Sequence, residues 1–133
     1  MVQAPTVEVA AAVIRDEAGR YLIARRRRGT HLEGLWEFPG GKCEPGESLE
    51  KCLWREIRDE LEFEIAVGAP VTVVKHAYSH FRITLHAFEC RPVSGRPRAV
   101  GVAAFKWVRM SELDRYAFAA TDRKIIQRMR AGG

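Results

Sequence analysis

Short runs of apolar and β-branched residues alternate with polar stretches along the chain and predict the strands of a sheet. Residues 7–14 and 21–24 form two such runs around the turn-forming sequence Asp-Glu-Ala-Gly, so we expect a β-hairpin there. A short strand over 35–38 should lead into a turn over 39–41. Further strands are predicted over 71–77, 82–89 and 103–108, with a loop over 91–100.

The helical spacing of apolar residues recurs in two places. Over 49–61 the apolar residues fall on one face at about 100° per residue, and Ser48 precedes them as an N-cap. A second helix is expected near the C-terminus, with its cap at Thr121 or Asp122. Two helices on opposite faces of one mixed β-sheet form an α/β/α sandwich, and this α/β class is the fold that the pattern predicts.

The composition indicates a single globular domain. The chain has 133 residues, which suits one domain over 1–133. No apolar run reaches the length of a membrane span, and residues 1–5 lack the features of a signal peptide, so we expect a cytoplasmic protein with no membrane partner. The formal net charge of +5 favours polyanionic ligands, either nucleotides or nucleic acid, without choosing between them.

The cysteines do not form a recognisable framework. Cys43, Cys52 and Cys90 are odd in number and show no C-x-x-C spacing. A set of structural disulfides is therefore not expected, and a reducing compartment fits. Cys52 falls among the apolar positions of the first helix and is expected in the core.

The acids of the first predicted helix are the main candidates for chemistry. Glu56, Asp59 and Glu60 fall within an arc of roughly 100° that overlaps the edge of the apolar stripe. Like charges at this spacing repel, and partial burial adds a cost of desolvation. A hard divalent cation, Mg²⁺ or alternatively Mn²⁺, would remove the conflict, and the glycine-rich segment at 39–41 would let backbone oxygen approach it. Arg55 could orient these acids by a bidentate contact.

The spacing around these acids extends well beyond the helix and resembles the Nudix box. That signature marks hydrolases that cut nucleoside diphosphates linked to another group. The matching pattern is Gly41, five residues, Glu47, seven residues, Arg55-Glu56-Ile57, one residue, and Asp59-Glu60.

Two positions depart from the signature. Asp59 stands where the family usually has Glu, so the negative charge is kept on a shorter side chain. Glu62 stands where the family usually has Gly, the residue that most easily closes a helix in the left-handed conformation. The departures bear on metal affinity and on the helix end.

A second resemblance covers most of the chain. Residues 35–42, 76–85 and 116–125 resemble the C-terminal domain of the adenine glycosylase MutY, which senses 8-oxoguanine in DNA. That domain is itself similar to MutT, the Nudix enzyme that hydrolyses 8-oxo-dGTP. The two resemblances together imply a ligand containing an oxidised guanine and the α/β/α sandwich of the Nudix fold.

The Nudix resemblance also implies roles for the acidic cluster. The expected activity is a Mg²⁺-dependent nucleoside triphosphate pyrophosphohydrolase of the MutT type, giving a monophosphate and pyrophosphate. In this scheme Glu56 is the general base or a metal ligand, and Glu47 and Arg55 orient the cluster. The expected metal ligands are the Gly40 carbonyl, Glu56, Asp59 and Glu60.

The substrate contacts are expected from other parts of the chain. Alternation along a strand lets only every second arginine of the run 25–28 face a ligand. The loop around Tyr78 matches the lesion-sensing loop of MutY, and Asp122 stands where MutT relatives often carry a base-reading Asn. The candidates for substrate binding are Arg25, Arg27, Lys42, Tyr78, Ser79 and Asp122.

Two alternatives to 8-oxo-dGTP hydrolysis remain at this point. One is a pyrophosphohydrolase for another nucleotide, such as CTP or methylated dCTP. The other is a non-catalytic module that binds oxidised guanine in DNA, against which the intact carboxylates argue. For an enzyme we expect a nucleoside triphosphate partner and no stable nucleic-acid partner, while the sequence leaves the oligomeric state open.

Overall fold

The computed structural model of the chain describes residues 5–132. Along these residues, seven strands, one short 3₁₀ helix and two α-helices succeed one another. They are β1 (Thr6–Ile14), β2 (Tyr21–Arg25), β3 (Trp36–Glu37), β4 (Gly40–Lys42), α1 (Leu49–Leu61), β5 (Glu64–Ala77), β6 (Arg82–Ser94), β7 (Ala104–Val108), the 3₁₀ helix Met110–Arg115, and α2 (Ala120–Gly132).

The strands form two sheets where one mixed sheet was expected. The larger sheet has the order β4-β1-β6-β5, in which β1 and β6 run parallel and the other neighbours antiparallel. The smaller sheet is antiparallel, with the order β3-β2-β7. The α/β/α architecture is confirmed, because helices lie on both faces of the larger, mixed sheet.

The expected β1–β2 hairpin is wrong. A tight turn does connect the strands, with the Arg20 N–H donating to Asp16 Oδ1 at 2.8 Å, but only an isolated bridge between Arg15 and Tyr21 joins them. The reason is that β4 and β6 occupy the two edges of β1. β2 therefore leaves the first sheet and pairs with β3 and β7 in the second.

β1 separates two cores by the alternation of its side chains. One face carries Ala10, Ala12 and Ile14 against the apolar residues of α1, and the other carries Ala11 and Val13 against those of α2. Small side chains on both faces let both helices approach the same strand. The apolar residues buried from the helices are Cys52, Leu53, Ile57 and Leu61 from α1 and Ile125 and Ile126 from α2.

The segment expected to be a turn at 39–41 is mostly strand. Gly40 and Gly41 belong to β4 and pair antiparallel with Ala11 and Ala10. A Cβ placed on Gly40 would overlap the Ala10 carbonyl oxygen, so close backbone approach excludes larger residues. β4 thus fixes the backbone from which the loop to α1 begins.

β5 and β6 are longer than the sequence pattern indicates. β5 begins at Glu64, directly after α1, and β6 continues to Ser94 into the segment expected to be a loop. Register shifts between Val67 and Thr72 mark an irregularity in β5, which explains why simple alternation missed its first half.

α1 closes in a left-handed conformation without glycine. Glu62 has φ 48° and ψ 48°, and its N–H donates to the Arg58 carbonyl at 2.9 Å. The β6–β7 loop caps the free carbonyls: Val100 and Gly101 donate to the Glu60 oxygen at 3.1 and 2.9 Å. The absent box glycine therefore leaves the helix end intact.

Replacing Glu62 with Gly is expected to stabilise the protein by about 0.5–1 kcal/mol, because the left-handed conformation strains a residue with a Cβ. The Glu62–Arg98 ion pair that is lost is well exposed, at 50% and 74% of the two side chains, and contributes little. Chemical denaturation measures the change. Glu62→Ala removes the same carboxylate but keeps the Cβ, so equal stabilisation by both variants would contradict this explanation.

Candidate active site

Arg55 is the centre of a network that joins helix α1 to the loop before it. Its guanidinium holds Glu47 by two contacts, Nε to Oε2 at 2.7 Å and Nη2 to Oε1 at 2.8 Å. Nη1 donates to Glu56 Oε1 at 2.7 Å, and Nη2 also donates to the Lys42 carbonyl at 3.0 Å. The bidentate pair fixes the plane of the guanidinium and, through it, the position of Glu56.

Glu47 stays ionised in this network. The hydrogen bonds from Arg55 lower its pKa to about 2, helped by the Glu44 backbone N–H, which donates to Oε1 at 3.0 Å. The local sequence explains the geometry, since Glu47 immediately precedes the N-cap Ser48 and Arg55 lies two turns into the helix. Glu47 thus serves as a permanent counter-charge for Arg55.

Glu56 is a partly buried carboxylate with one oxygen left free by Arg55. Burial raises its pKa even though the arginine acts in the opposite direction, and the negative charges of Asp59 and Glu47 raise it further. A Cβ on Gly41 would overlap this carboxylate. The glycine therefore leaves room for Glu56 against the backbone of β4.

Glu60 is the carboxyl group of the cluster whose charged form is least stabilised by its surroundings. Its Oε2 atom is buried and has no hydrogen-bond partner. Burial raises its pKa to about 9, and the charges of Glu37 and Glu56 act in the same direction, while a hydrogen bond with the Gly40 backbone opposes them. At neutral pH this carboxyl group is neutral unless a cation is supplied.

Arg26 and Glu37 adjoin this cluster and were missed in the sequence analysis. Arg26 Nη1 lies 2.8 Å from Glu37 Oε1, and its Nε donates to the His31 carbonyl. Burial raises the pKa of Glu37 despite this arginine. A signal was present: the Glu lies between Trp36 and Phe38, where alternation directs it away from the aromatic pair.

Asp122 is buried and does not cap α2. The helix begins at Ala120, and Asp122 Oδ1 instead accepts a hydrogen bond of 2.9 Å from the backbone N–H of Phe38. The Thr121 hydroxyl lies 3.4 Å from Oδ2. Burial raises the pKa of Asp122 to about 7, with the Glu37 charge adding to the effect.

Tyr78 lies in an aromatic group that joins two loops. Its ring centroid is 4.8 Å from that of His31, in the β2–β3 loop, and 5.0 Å from that of Phe81. Burial raises the pKa of Tyr78, and the charge of Asp122 adds to it, which places the two residues in one electrostatic environment. Ser79 is exposed beside this group.

The remaining sequence candidates lie at the surface. Asp59 is exposed, although its charge reaches Glu56. Arg25 donates from Nε to the Gly34 carbonyl at 3.2 Å, and Arg27 and Lys42 are exposed. The structure thus brings together Glu47, Arg55, Glu56 and Glu60 with Arg26, Glu37, Asp122 and Tyr78.

The acidic residues have the character of a divalent-cation site without being a complete one. Among residues 5–132, no three His, Cys, Asp or Glu side chains are grouped so that they could hold a metal ion. The buried Glu60 oxygen nevertheless has no partner, and Glu56 keeps one oxygen that its Arg55 partner does not engage. Mg²⁺ commonly uses one or two carboxylates and completes its shell with water and phosphate oxygens, so these residues fit it.

In metal-free solution, Glu60→Gln is expected to stabilise the protein at pH 8 by about 1–3 kcal/mol, because the buried carboxylate lacks a partner. The pKa of Glu60 rises from 4.5 in the unfolded chain to about 9 in the folded protein. The wild type therefore has its full stability below pH 4.5 and loses it progressively as the pH rises through 9, and Gln avoids this loss. Denaturation with a chelator at several pH values measures this. Exposed Asp59→Asn is the control, and an equal gain in that variant would contradict the burial argument.

Comparison with known proteins identifies the family of this chain. The family model described as the NUDIX domain matches residues 10–128. The chain belongs to the Nudix family. It is 36% identical over 121 residues to the CTP pyrophosphohydrolase of Escherichia coli K12, covering 91% of this chain and 89% of that protein. It is 35% identical over 88 residues to the 8-oxo-dGTP diphosphatase of Proteus vulgaris, covering 66% of this chain and 79% of that one.

A solved structure agrees with the Nudix assignment. The solution structure of the E. coli ORF135 protein superposes with a TM-score of 0.85 at 35% identity, covering 96% of this chain and 91% of that one. The expectation of a MutT-like Nudix hydrolase acting on nucleotide diphosphate bonds is therefore confirmed. Within residues 5–132 this Nudix chain has no helix long and apolar enough to cross a bilayer.

Proposed function

We propose that this Nudix hydrolase is a Mg²⁺-dependent nucleoside triphosphate pyrophosphohydrolase with 8-oxo-dGTP as its substrate. The products are the nucleoside monophosphate and pyrophosphate, and Mn²⁺ is the alternative ion. The observation that carries the proposal is the acidic cluster in which Glu56, held by Arg55, adjoins Glu60, whose buried Oε2 has no partner. Such a group is unfavourable for a protein that binds no cation.

The residues assigned to the cation are Glu56, Asp59, Glu60 and the Gly40 carbonyl. When bound, a divalent cation supplies charge neutralisation for the phosphates and lowers the pKa of water. Asp59 is exposed beside the buried pair. Its shorter side chain makes it the weakest of the three acidic candidates.

Glu56 is assigned as the general base, with metal ligation as the alternative role. Arg55 engages Oε1, so Oε2 is the oxygen that can accept a proton from the attacking water. The raised pKa brings the carboxylate closer to the working pH, where a base is most effective. Glu47 keeps Arg55 in place and does not titrate near neutrality.

The substrate is assigned to the region where the acidic cluster and the Tyr78 loop adjoin Arg26 and Asp122. Exposed Arg25, Arg27 and Lys42 are candidates for phosphate contacts. Tyr78, Ser79 and Asp122 are candidates for the base, because Asp122 is buried next to the Phe38 backbone and Tyr78 shares its electrostatic environment. A cytoplasmic nucleotide pool is the proposed source of substrate.

A cytidine nucleotide, such as CTP or methylated dCTP, is the second candidate substrate. Asp122 Oδ1 already accepts from Phe38, and an ionised carboxylate can accept further from an exocyclic amine. The E. coli relative named CTP pyrophosphohydrolase supports this alternative. The third candidate function is a non-catalytic module that binds oxidised guanine in DNA. That function gives no reason for a protein to keep carboxylates that repel one another.

Release of pyrophosphate from a panel of nucleotides, with and without Mg²⁺, tests the proposal. The panel includes dGTP, 8-oxo-dGTP, CTP and 5-methyl-dCTP. Metal-dependent release with the highest kcat/KM for 8-oxo-dGTP is expected. A higher kcat/KM for the cytidine nucleotides would overturn 8-oxo-dGTP as the proposed substrate. If no pyrophosphate is released and the protein binds 8-oxoguanine in DNA, the non-catalytic binding module would be the better assignment.

A further inference from the structure

The loop between β6 and β7 is bound to the C-terminal end of helix α1. The N–H groups of Val100 and Gly101 both donate to the Glu60 carbonyl, at 3.1 and 2.9 Å. The N–H of Arg98 donates to the Leu61 carbonyl at 2.8 Å. Three backbone donors of the loop therefore attach it to the turn of the helix that carries one of the proposed metal ligands.

Gly101 lies directly against Glu60. A Cβ placed on Gly101 would be 3.1 Å from the Glu60 Cα and 3.4 Å from the Glu60 Cγ. Both distances are shorter than the optimal separation of two carbon atoms, about 3.5–4.0 Å. Gly101 does not have a positive φ, so the backbone conformation does not require glycine here. What requires glycine is the close packing of the loop against Glu60.

The two backbones have little freedom to move apart. Val102, the next residue of the loop, is buried in the apolar core beneath α1. Ile57 and Leu61 hold the helix on the same core and are fully buried. A side chain at position 101 would therefore displace the atoms with the most freedom, which are those of the Glu60 side chain from Cγ outwards.

The Glu60 carboxyl group depends on packing for its position. Its Oε2 atom is buried and has no hydrogen-bond partner among residues 5–132. The neighbouring Glu56 differs, because Arg55 holds its Oε1 at 2.7 Å. A shift at the Glu60 Cγ therefore reaches the carboxylate oxygens without an opposing hydrogen bond at Oε2.

We propose that Gly101 is a positioning residue for the cation site, and that its missing side chain sets the place of the Glu60 carboxylate. The inference rests on the proposed function, in which Glu60 is a ligand of Mg²⁺. A side chain at position 101 weakens cation binding and leaves the base-reading residues in place. The reason is that the three atoms nearest to a Cβ on Gly101 all belong to Asp59 and Glu60.

Gly101→Ala tests this role, with Mn²⁺ as the probe and no nucleotide present. Electron paramagnetic resonance measures free Mn²⁺ and hence the Kd, and circular dichroism checks the fold. The Kd should rise about tenfold, at the lower end of the losses that follow changes in the support of a metal ligand. Gly68→Ala is the matched control and should keep the wild-type Kd. A Cβ on Gly68 would be 3.1 Å from the Glu89 carbonyl oxygen, an equally tight contact between β5 and β6.

The same substitution in a Glu60→Gln background shows whether Gly101 acts through the carboxylate. In that background Gly101→Ala should change the Kd by less than about twofold, because the charge that it displaces is already absent. An unchanged Kd in the single variant would overturn the positioning role. An equal rise in the Glu60→Gln background, or in Gly68→Ala, would overturn it as well.

The second readout is pyrophosphate release as a function of Mg²⁺ concentration. In Gly101→Ala the half-saturating Mg²⁺ concentration should rise about tenfold. The kcat at saturating Mg²⁺ and the KM for the nucleotide should stay within about twofold of wild type, because only uptake of the cation is affected. A lower kcat at every Mg²⁺ concentration would contradict the inference. If the wild type binds no Mn²⁺, the proposed cation site itself fails, whereas equal binding by wild type and Gly101→Ala overturns only the role of Gly101.

Discussion

Glu56→Gln is expected to lower the turnover number by at least about 10²-fold while leaving the fold intact, the usual scale for loss of a general base. The amide oxygen of Gln can still accept the hydrogen bond that Arg55 Nη1 gives to Oε1 at 2.7 Å. The network around Glu47 therefore survives. The amide can neither take a proton from water nor bind a divalent cation as a carboxylate does.

Steady-state pyrophosphate release at saturating Mg²⁺ measures the loss, and circular dichroism and thermal unfolding check the fold. Glu50→Gln is a matched control, since Glu50 is an exposed acid in the first turn of the same helix. Near-wild-type turnover in Glu56→Gln would remove Glu56 from the chemistry. An equal loss in Glu50→Gln would point to a general effect of helix charge.

The central helix could be predicted from the sequence because its determinants are local. The apolar stripe and the N-cap at Ser48 lie within one segment, and the structure has the helix at the expected residues, 49–61. The Arg55 contacts to Glu47 and Glu56 are likewise short in sequence separation, at eight residues and one residue. Local spacing was therefore sufficient for the core of the site.

The errors involve contacts between distant residues. β1 and β2 looked like a hairpin because they are neighbours in sequence, and the competition from β6 is not visible locally. Asp122 looked like a helix cap, yet its partner, the Phe38 N–H, is 84 residues away. Arg26 was missed because alternation divides the arginines at 25–28 into two sets that face opposite sides. The sequence does not say which of the two sets faces Glu37, and the structure shows that it is the set with Arg26.

Within the proposed substrate site, the charge of Asp122 should have the largest effect on base specificity. Asp122 is buried, and burial raises its pKa to about 7. Below that pH the carboxyl is neutral and can donate a hydrogen bond, whereas above it the carboxylate can only accept. A donor suits the O6 atom of guanine, and an acceptor suits the exocyclic amine of cytosine.

The ratio of kcat/KM for 8-oxo-dGTP to that for CTP is therefore expected to fall as the pH rises from 6 to 8. Glu56 and Glu60 also have raised pKa values, but in the proposed site they act on the phosphates that both substrates share, so their ionisation should cancel in the ratio. Ionisation of Glu37 acts through Asp122, because its charge raises the Asp122 pKa. In Asp122→Asn the amide does not titrate, so the ratio should become independent of pH. Asp114→Asn is the matched control, because Asp114 is exposed and pairs with Arg130.

Asp122→Asn is also expected to shift this ratio by tenfold or more at pH 8, since mispairing a buried polar group costs about 1–3 kcal/mol. The variant should fold, because an amide oxygen can accept from the Phe38 N–H as Oδ1 does. Steady-state kinetics with both nucleotides measure the shift. A constant ratio, together with a change in Ser79→Ala, would move base selection to the loop that contains Tyr78 and the exposed Ser79. If neither variant changes the ratio, the site does not distinguish the bases, and 8-oxo-dGTP loses its place as the proposed substrate.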